Sequence, residues 1–205
     1  MGLTKKEILS KLFICATKYK ENLLSRCLLF VACDKNKNFE FFSASFSAGN
    51  FQHLTGVITQ NISPRDFFRR CLERRLSPND IEAHKDGTTD LKLSVLPVLM
   101  SKNLSANMLA DYAGKNLKLY TEKIAGNVTA CMGFIKEEKS GLYVPNTILR
   151  QDMRDISESQ KRILAAFQKN KTEKLFTSVV YIAKNINLAE IPFPENLRYL
   201  KELTA

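Results

Sequence analysis

The sequence predicts an α+β fold, helices set against a mostly antiparallel sheet, and three observations carry that expectation. Apolar residues recur at helical spacing near the N-terminus, as Ile8, Leu12, Cys15 and Tyr19. Later segments, LKLYTEKIAG, VTACMGFIKEE and GLYVPNTIL, read as short strands separated by turn residues. Strands and helices do not alternate regularly, so βαβ units with a parallel sheet are not expected. At 205 residues and 44% hydrophobic, the chain can bury a sizeable core. A single domain over 1–205 is expected, with 1–24 a helical extension and 187–205 a tail.

Each element has its own signal. Residues 4–20 form the first expected helix, with Thr4 as cap and Glu7 as its capping-box partner. CLLFVAC (27–33) is short, continuous and apolar, as a buried strand is, and FEFFSASF (39–46) follows after the DKNKN turn as its antiparallel partner. GNFQHLTGV (49–57) reads as a further strand, which places Phe51, His53 and Thr55 on one face. Ser63-Pro64 opens a helix carrying Phe67, Phe68, Cys71 and Leu72, and Ser77-Pro78 repeats the start signal for a shorter turn. Helical spacing resumes from Thr89 to about Lys102, where Pro97 must kink or end the helix. Residues 105–116 read as a short helix. The three strands named above occupy 117–149, with a turn at 139–141. A helix over 157–169 rests on Ile163, Leu164 and Phe167, a strand spans 175–183, and the proline-punctuated tail adds a short final helix.

Composition narrows the function. Five cysteines without a C-x-x-C pair suggest free thiols in a reducing cytoplasm. No run approaches the roughly 18 apolar residues of a membrane span. The signatures of nucleotide-binding loops, zincins and serine hydrolases are missing. The net charge of +10 favours a polyanionic partner, because each Lys or Arg near a phosphate releases condensed counterions.

Two places stand out chemically. His53 is one of only two histidines and lies between Gly49 and Gly56. The other, His84, sits in the polar stretch IEAHKDGTTD and reads as a solvated loop residue. GLYVPNTILRQDMR (141–154) collects Tyr143, Asn146, Arg150 and Arg154 around a proline expected to stop the strand. Those side chains suit phosphate oxygens and base edges. Lys92 and the cluster Arg65, Arg69, Arg70, Arg74 and Arg75 add positive charge, and Arg69 and Arg70 are expected to contact substrate.

In order along the chain, F-Q-H-L-T-G, D-F-F-R-R-C-L, S-P-N-D-I, T-D-L-K-L, M-G-F-I-K and Y-V-P-N-T-I-L-R-Q-D-M-R resemble a phage-associated family of the barnase–EndoU–colicin–RelE superfamily of nucleases. The resemblance covers about residues 25–185. It implies a single nuclease-like domain, with N-terminal helices on a curved antiparallel sheet whose concave face binds RNA. It also implies a metal-independent endoribonuclease, toxin-like or a phage effector, that uses the 2′-hydroxyl as nucleophile and needs no cofactor. Its partners would be single-stranded RNA or tRNA, with an antitoxin or host protein besides, in the cytoplasm and away from membranes. On the matching positions, His53, Thr55, Tyr143 and Arg150 become catalytic candidates, and Asn146 and Lys92 substrate contacts. No glutamate follows His53 within ten residues to complete a Glu–His pair. A non-catalytic module that binds nucleic acid or inhibits a host protein is the alternative.

Overall fold

A computed structural model describes residues 2–114, 120–138 and 140–203. Helix α1 (Lys5–Asn22) starts at the expected capping box and buries Leu12, Cys15, Ala16 and Tyr19 completely. Strands β1 (Arg26–Cys33) and β2 (Phe39–Ser45) form the expected hairpin, in register from Cys27 opposite Ser45 to Cys33 opposite Phe39.

The next segment departs from expectation. Residues 49–57 are mostly helical: a 3₁₀ turn at Ala48–Asn50 leads into α2 (Phe51–Thr55), which ends at Gly56 with φ +65°. The reason is local. Asn50 Oδ1 accepts from both the Ser47 amide and the Ser47 hydroxyl, which folds the chain into a turn, and glycine supplies the left-handed cap. Phe51, Leu54 and Thr55 then share the buried side at helical spacing, and His53 turns outward.

A small two-stranded sheet follows, β3 (Val57–Thr59) with β4 (Ile81–Ala83), paired from Val57 opposite Ala83 to Thr59 opposite Ile81. Between them lie α3 (Pro64–Leu72), capped by Ser63, and a 3₁₀ turn at Pro78–Asp80. Helix α4 (Thr88–Leu99) carries Pro97 inside its last turn.

The remaining strands are β5 (Met108–Asp111), β6 (Lys123–Gly126), β7 (Cys131–Lys136), β8 (Tyr143–Leu149), β9 (Lys161–Asn170) and β10 (Ser178–Ile182). Two sequence expectations fail here. The helix expected over 105–116 is replaced by β5 (residues 115 and 116 lie outside the described residues), and the helix expected over 157–169 is replaced by β9. Strand β9 is buried on both faces, so Ile163 to Phe167 form a continuous apolar run that periodicity cannot tell from a buried helix. Of the strand expected at 117–126, only Lys123–Gly126 is strand; residues 120–122 are not, and residues 117–119 lie outside the described residues. The tail ends in a 3₁₀ helix, Glu195–Glu202. No described helix is long and apolar enough to cross a membrane.

Among the described residues, eight strands make one mostly antiparallel sheet in the order β1-β2-β8-β7-β6-β5-β9-β10, and β9 also pairs with β1. The order therefore returns to its start, and seven strands close a ring to which β10 adds a branch. The seam is thin: β2 and β8 meet in parallel through the single pair Ala44 and Tyr143. Side chains alternate across the ring wall. Leu28, Phe30 and Ala32 join the main core shared with α1–α4, and Leu29 and Val31 join an outer core closed by Phe193 and Leu200 of the tail.

Candidate active-site cleft

Strand β4 ends one residue before His84, and β3 begins one residue after Gly56. Their pairing thus brings the segments carrying His53 and His84 side by side. A buried hydroxyl then locks them together. Thr89 Oγ1, in the first turn of α4, donates to the Gly56 carbonyl (2.5 Å) and accepts from the His84 amide (2.9 Å).

Lys92 lies one turn further along α4, on the same side as Thr89. Its stem runs over Gly56, where an added Cβ would come within 2.9 Å of Lys92 Cδ. Its ammonium donates to the His53 carbonyl (2.9 Å). That carbonyl is available because the Val57 amide, its ordinary helical partner, is taken by Thr55 Oγ1 (3.1 Å). Burial pushes the Lys92 pKa below the usual lysine value.

From the sheet side, Asn146 completes the cleft. It is the extra residue of a bulge in β8: Pro145 opposes Phe134 and Thr147 opposes Gly133, leaving Asn146 without a partner. Pro145 therefore does not stop the strand as expected. It sits inside a continuous β8, at the irregularity where a missing N–H is tolerated. Asn146 donates to the Tyr120 carbonyl and accepts from Thr121 Oγ1.

His53, His84, Lys92 and Asn146 line one open cleft of about 350 Å³, together with Gln52 and Thr59. Both imidazoles are exposed to solvent. His84 is the solvated loop residue expected, between β4 and α4, and it also lines this cleft. Sequence reading missed it because its neighbours Lys85, Asp86 and Gly87 are those of any polar turn, and only the β3–β4 pairing reveals its company.

Thr55 is corrected in the other direction. The strand reading aimed it at substrate beside His53, but two positions along a helix are about 200° apart. Thr55 is fully buried, donates to the Gln52 carbonyl (2.7 Å) and ends α2.

The other candidates lie elsewhere. Tyr143 packs on Phe42 with ring centres 5.0 Å apart and does not line the cleft; burial and the facing Glu122 carboxylate hold its pKa above the usual phenol value. Arg150 is exposed past the end of β8, and Arg154 is paired with Asp152. Arg69 and Arg70 share Asp66, at 2.5 and 2.8 Å, and line a separate depression with Arg75. Cys15, Cys71 and Cys131 are buried thiols with pKa values pushed up by burial, to about 11 for Cys15 and about 12 for the other two.

An α+β scaffold here sets two imidazoles, an ammonium and an amide around one open cleft, the types of group that acid–base chemistry beside an anion uses. Residues 11–185 match the family described as phage-Barnase-EndoU-ColicinE5/D-RelE like nuclease4, and the chain belongs to that family of nucleases. No curated protein and no solved structure matches it.

Proposed function

We propose that the protein is an endoribonuclease that cleaves RNA by attack of a 2′-hydroxyl on the adjacent phosphate, in the cleft between α2, α4 and β8. The observation that carries this reading is the convergence of both histidines of the chain with Lys92 and Asn146 on one open cleft.

The reaction needs three services. One imidazole takes the proton from the 2′-oxygen as it bonds to phosphorus. The other, as imidazolium, gives a proton to the departing 5′-oxygen. The bond from phosphorus to that oxygen breaks, leaving a 2′,3′-cyclic phosphate and a free 5′-hydroxyl. Imidazole serves both roles because its ordinary pKa lies near neutrality. Charge accumulates on the non-bridging oxygens during attack, and a half-buried ammonium meets that charge without first shedding much water. Lys92 is the cation set in this cleft. Asn146 and Gln52 supply amide donors for phosphate or base edges, and exposed Tyr120, tied by its carbonyl to Asn146, offers a ring for a base to stack on.

The test is direct. Labelled RNA incubated with the protein in the presence of a chelator should yield products ending in 2′,3′-cyclic phosphate. A matched oligonucleotide with 2′-deoxyribose throughout should stay intact. Equal cleavage of both strands would remove the 2′-hydroxyl mechanism, and salt-sensitive binding without cleavage would favour a non-catalytic nucleic-acid module.

A further inference from the structure

The arginine cluster most visible in the sequence is partly neutralised: Arg69 and Arg70 lie on Asp66, and Arg75 lies on Glu73. A different set of cations is assembled only by the fold. One edge of β9 is claimed by two strands. Strand β5 pairs at Lys161 and Arg162, and β10 pairs from Ala165 to Gln168. Where those two partners diverge, the wall opens into a cleft of about 830 Å³.

Lys35, Arg154, Lys161, Arg162 and Lys184 line this notch, against the single carboxylate of Asp34. Lys161 is paired with Glu40 and Arg154 with Asp152. Among the described residues, no carboxylate lies within ion-pair distance of Lys35, Arg162 or Lys184. Arg162 reaches only the Lys184 carbonyl (3.3 Å). Asp34 is occupied in its own turn, accepting from the amides of Asn36 and Asn38 and from the Asn38 side chain. Three exposed, unpaired cations facing one concavity repel one another, and a polyanion laid across them relieves that repulsion while releasing counterions.

The notch shares no lining residue with the histidine cleft. Going round the ring from β8, which carries Asn146, β7 and β6 intervene before β5 in one direction, and β2 and β1 before β9 in the other. We propose that the β5–β9–β10 notch is a second phosphate-binding site. It would hold a flanking stretch of the same single-stranded RNA whose scissile phosphate lies in the histidine cleft. This proposal rests on the ribonuclease reading for its choice of ligand.

The test uses the full chain with the triple substitution Lys35→Glu, Arg162→Glu and Lys184→Glu. Binding is read in a His53→Ala background, with labelled oligouridylates of about 6 and about 30 nucleotides, lengths that bracket single-site footprints. Affinity for the long probe should fall about tenfold or more, and its salt slope should shrink by about 2, from about 0.7 per lost contact. With His53 restored, cleavage of the short probe should be unchanged. A long-probe affinity and slope equal to those before substitution would overturn the proposal, as would equal losses on both probes. If the charge reversals prevent folding, Lys35→Gln with Lys184→Gln asks the same question with a smaller expected loss. If the unsubstituted protein cleaves nothing while the length-dependent loss persists, the ribonuclease reading fails and the notch stands as a binding site.

Discussion

Two groups of charged side chains sit at different places on the same scaffold, and they are held in opposite ways. Inside the ring wall, Glu40 of β2 bridges Lys123 of β6 (2.5 Å) and Lys161 of β9 (2.7 Å), and Lys123 also reaches Asp111 of β5 (2.7 Å). Glu40, Lys123 and Lys161 are less than a quarter exposed, and each has a counter-charge. In the histidine cleft the imidazoles are open to solvent, and the ties run through the backbone: Thr89 to Gly56 and His84, Lys92 to the His53 carbonyl. Charges that complete one another tie distant strands together. The two histidines, held through main-chain atoms, keep their imidazoles free for another molecule. That difference separates a structural network from a candidate site more clearly than residue type does.

Substitutions can break the comparison, and the largest effect is expected in the cleft. His53→Ala and His84→Ala should each lose about 100- to 10,000-fold in cleavage, the usual share of a positioned acid or base, with little change in Tm. A lowered Tm and intact cleavage would transfer either histidine to the structural class.

Lys92→Met should lose about 100-fold in kcat, the low end for one donor on a developing oxyanion. Its effect on stability has the opposite sign. The lowered pKa means that the folded protein holds this proton less tightly than the unfolded chain does. The resulting penalty is fully present below the folded value and fades as pH rises towards the unfolded one. At neutral pH the variant should therefore melt no lower than the parent. Calorimetry beside a cleavage assay checks both parts.

Within the ring, Glu40→Ala should cost about 3 kcal/mol, since it leaves half-buried Lys161 without a counter-charge and Lys123 with Asp111 alone, while the cleft chemistry of the folded fraction stays intact. Burial alone would raise the Glu40 pKa, but Lys123 and Lys161 hold it below the usual carboxylate range. Its stabilising share is thus present above the unfolded value and lost as pH falls through the folded one. Acid titration of Tm should show that loss in the parent and not in the variant. Thr89→Val sharpens the contrast from the other side. It leaves the Gly56 carbonyl and the His84 amide without their partner, for a loss of about 1–3 kcal/mol that should be accompanied by slower cleavage. Arg69→Ala should change neither Tm nor cleavage measurably, because its exposed guanidinium shares one aspartate with Arg70.

Much of the scaffold was legible before the fold was seen. Helix α1 with its capping box, the β1–β2 hairpin, α3 with its serine cap and α4 with Pro97 follow from local chemistry that the final structure does not override. Strand β9 was misread because it is apolar on both faces, and α2 because a five-residue helix between glycines offers too few positions to separate period two from 3.6. The candidate site was half legible. His53, Lys92 and Asn146 were marked by residue type and motif. His84 was not, since its partner strand lies more than twenty residues away in sequence. The unpaired cations at 35, 162 and 184 were illegible for the same reason, and the conspicuous arginines at 69 and 70 drew attention although an aspartate in their own helix binds both.

The pH dependence of kcat/KM tests the acid–base pairing of His53 and His84 most directly, measured on one RNA substrate for the parent and for each histidine-to-alanine variant. The parent should give a bell, because one imidazole must be neutral and the other protonated. One variant should lose the acidic limb and the other the alkaline limb. A parent profile that stays flat through the range where imidazoles titrate, or the same limb missing from both variants, would contradict the assignment.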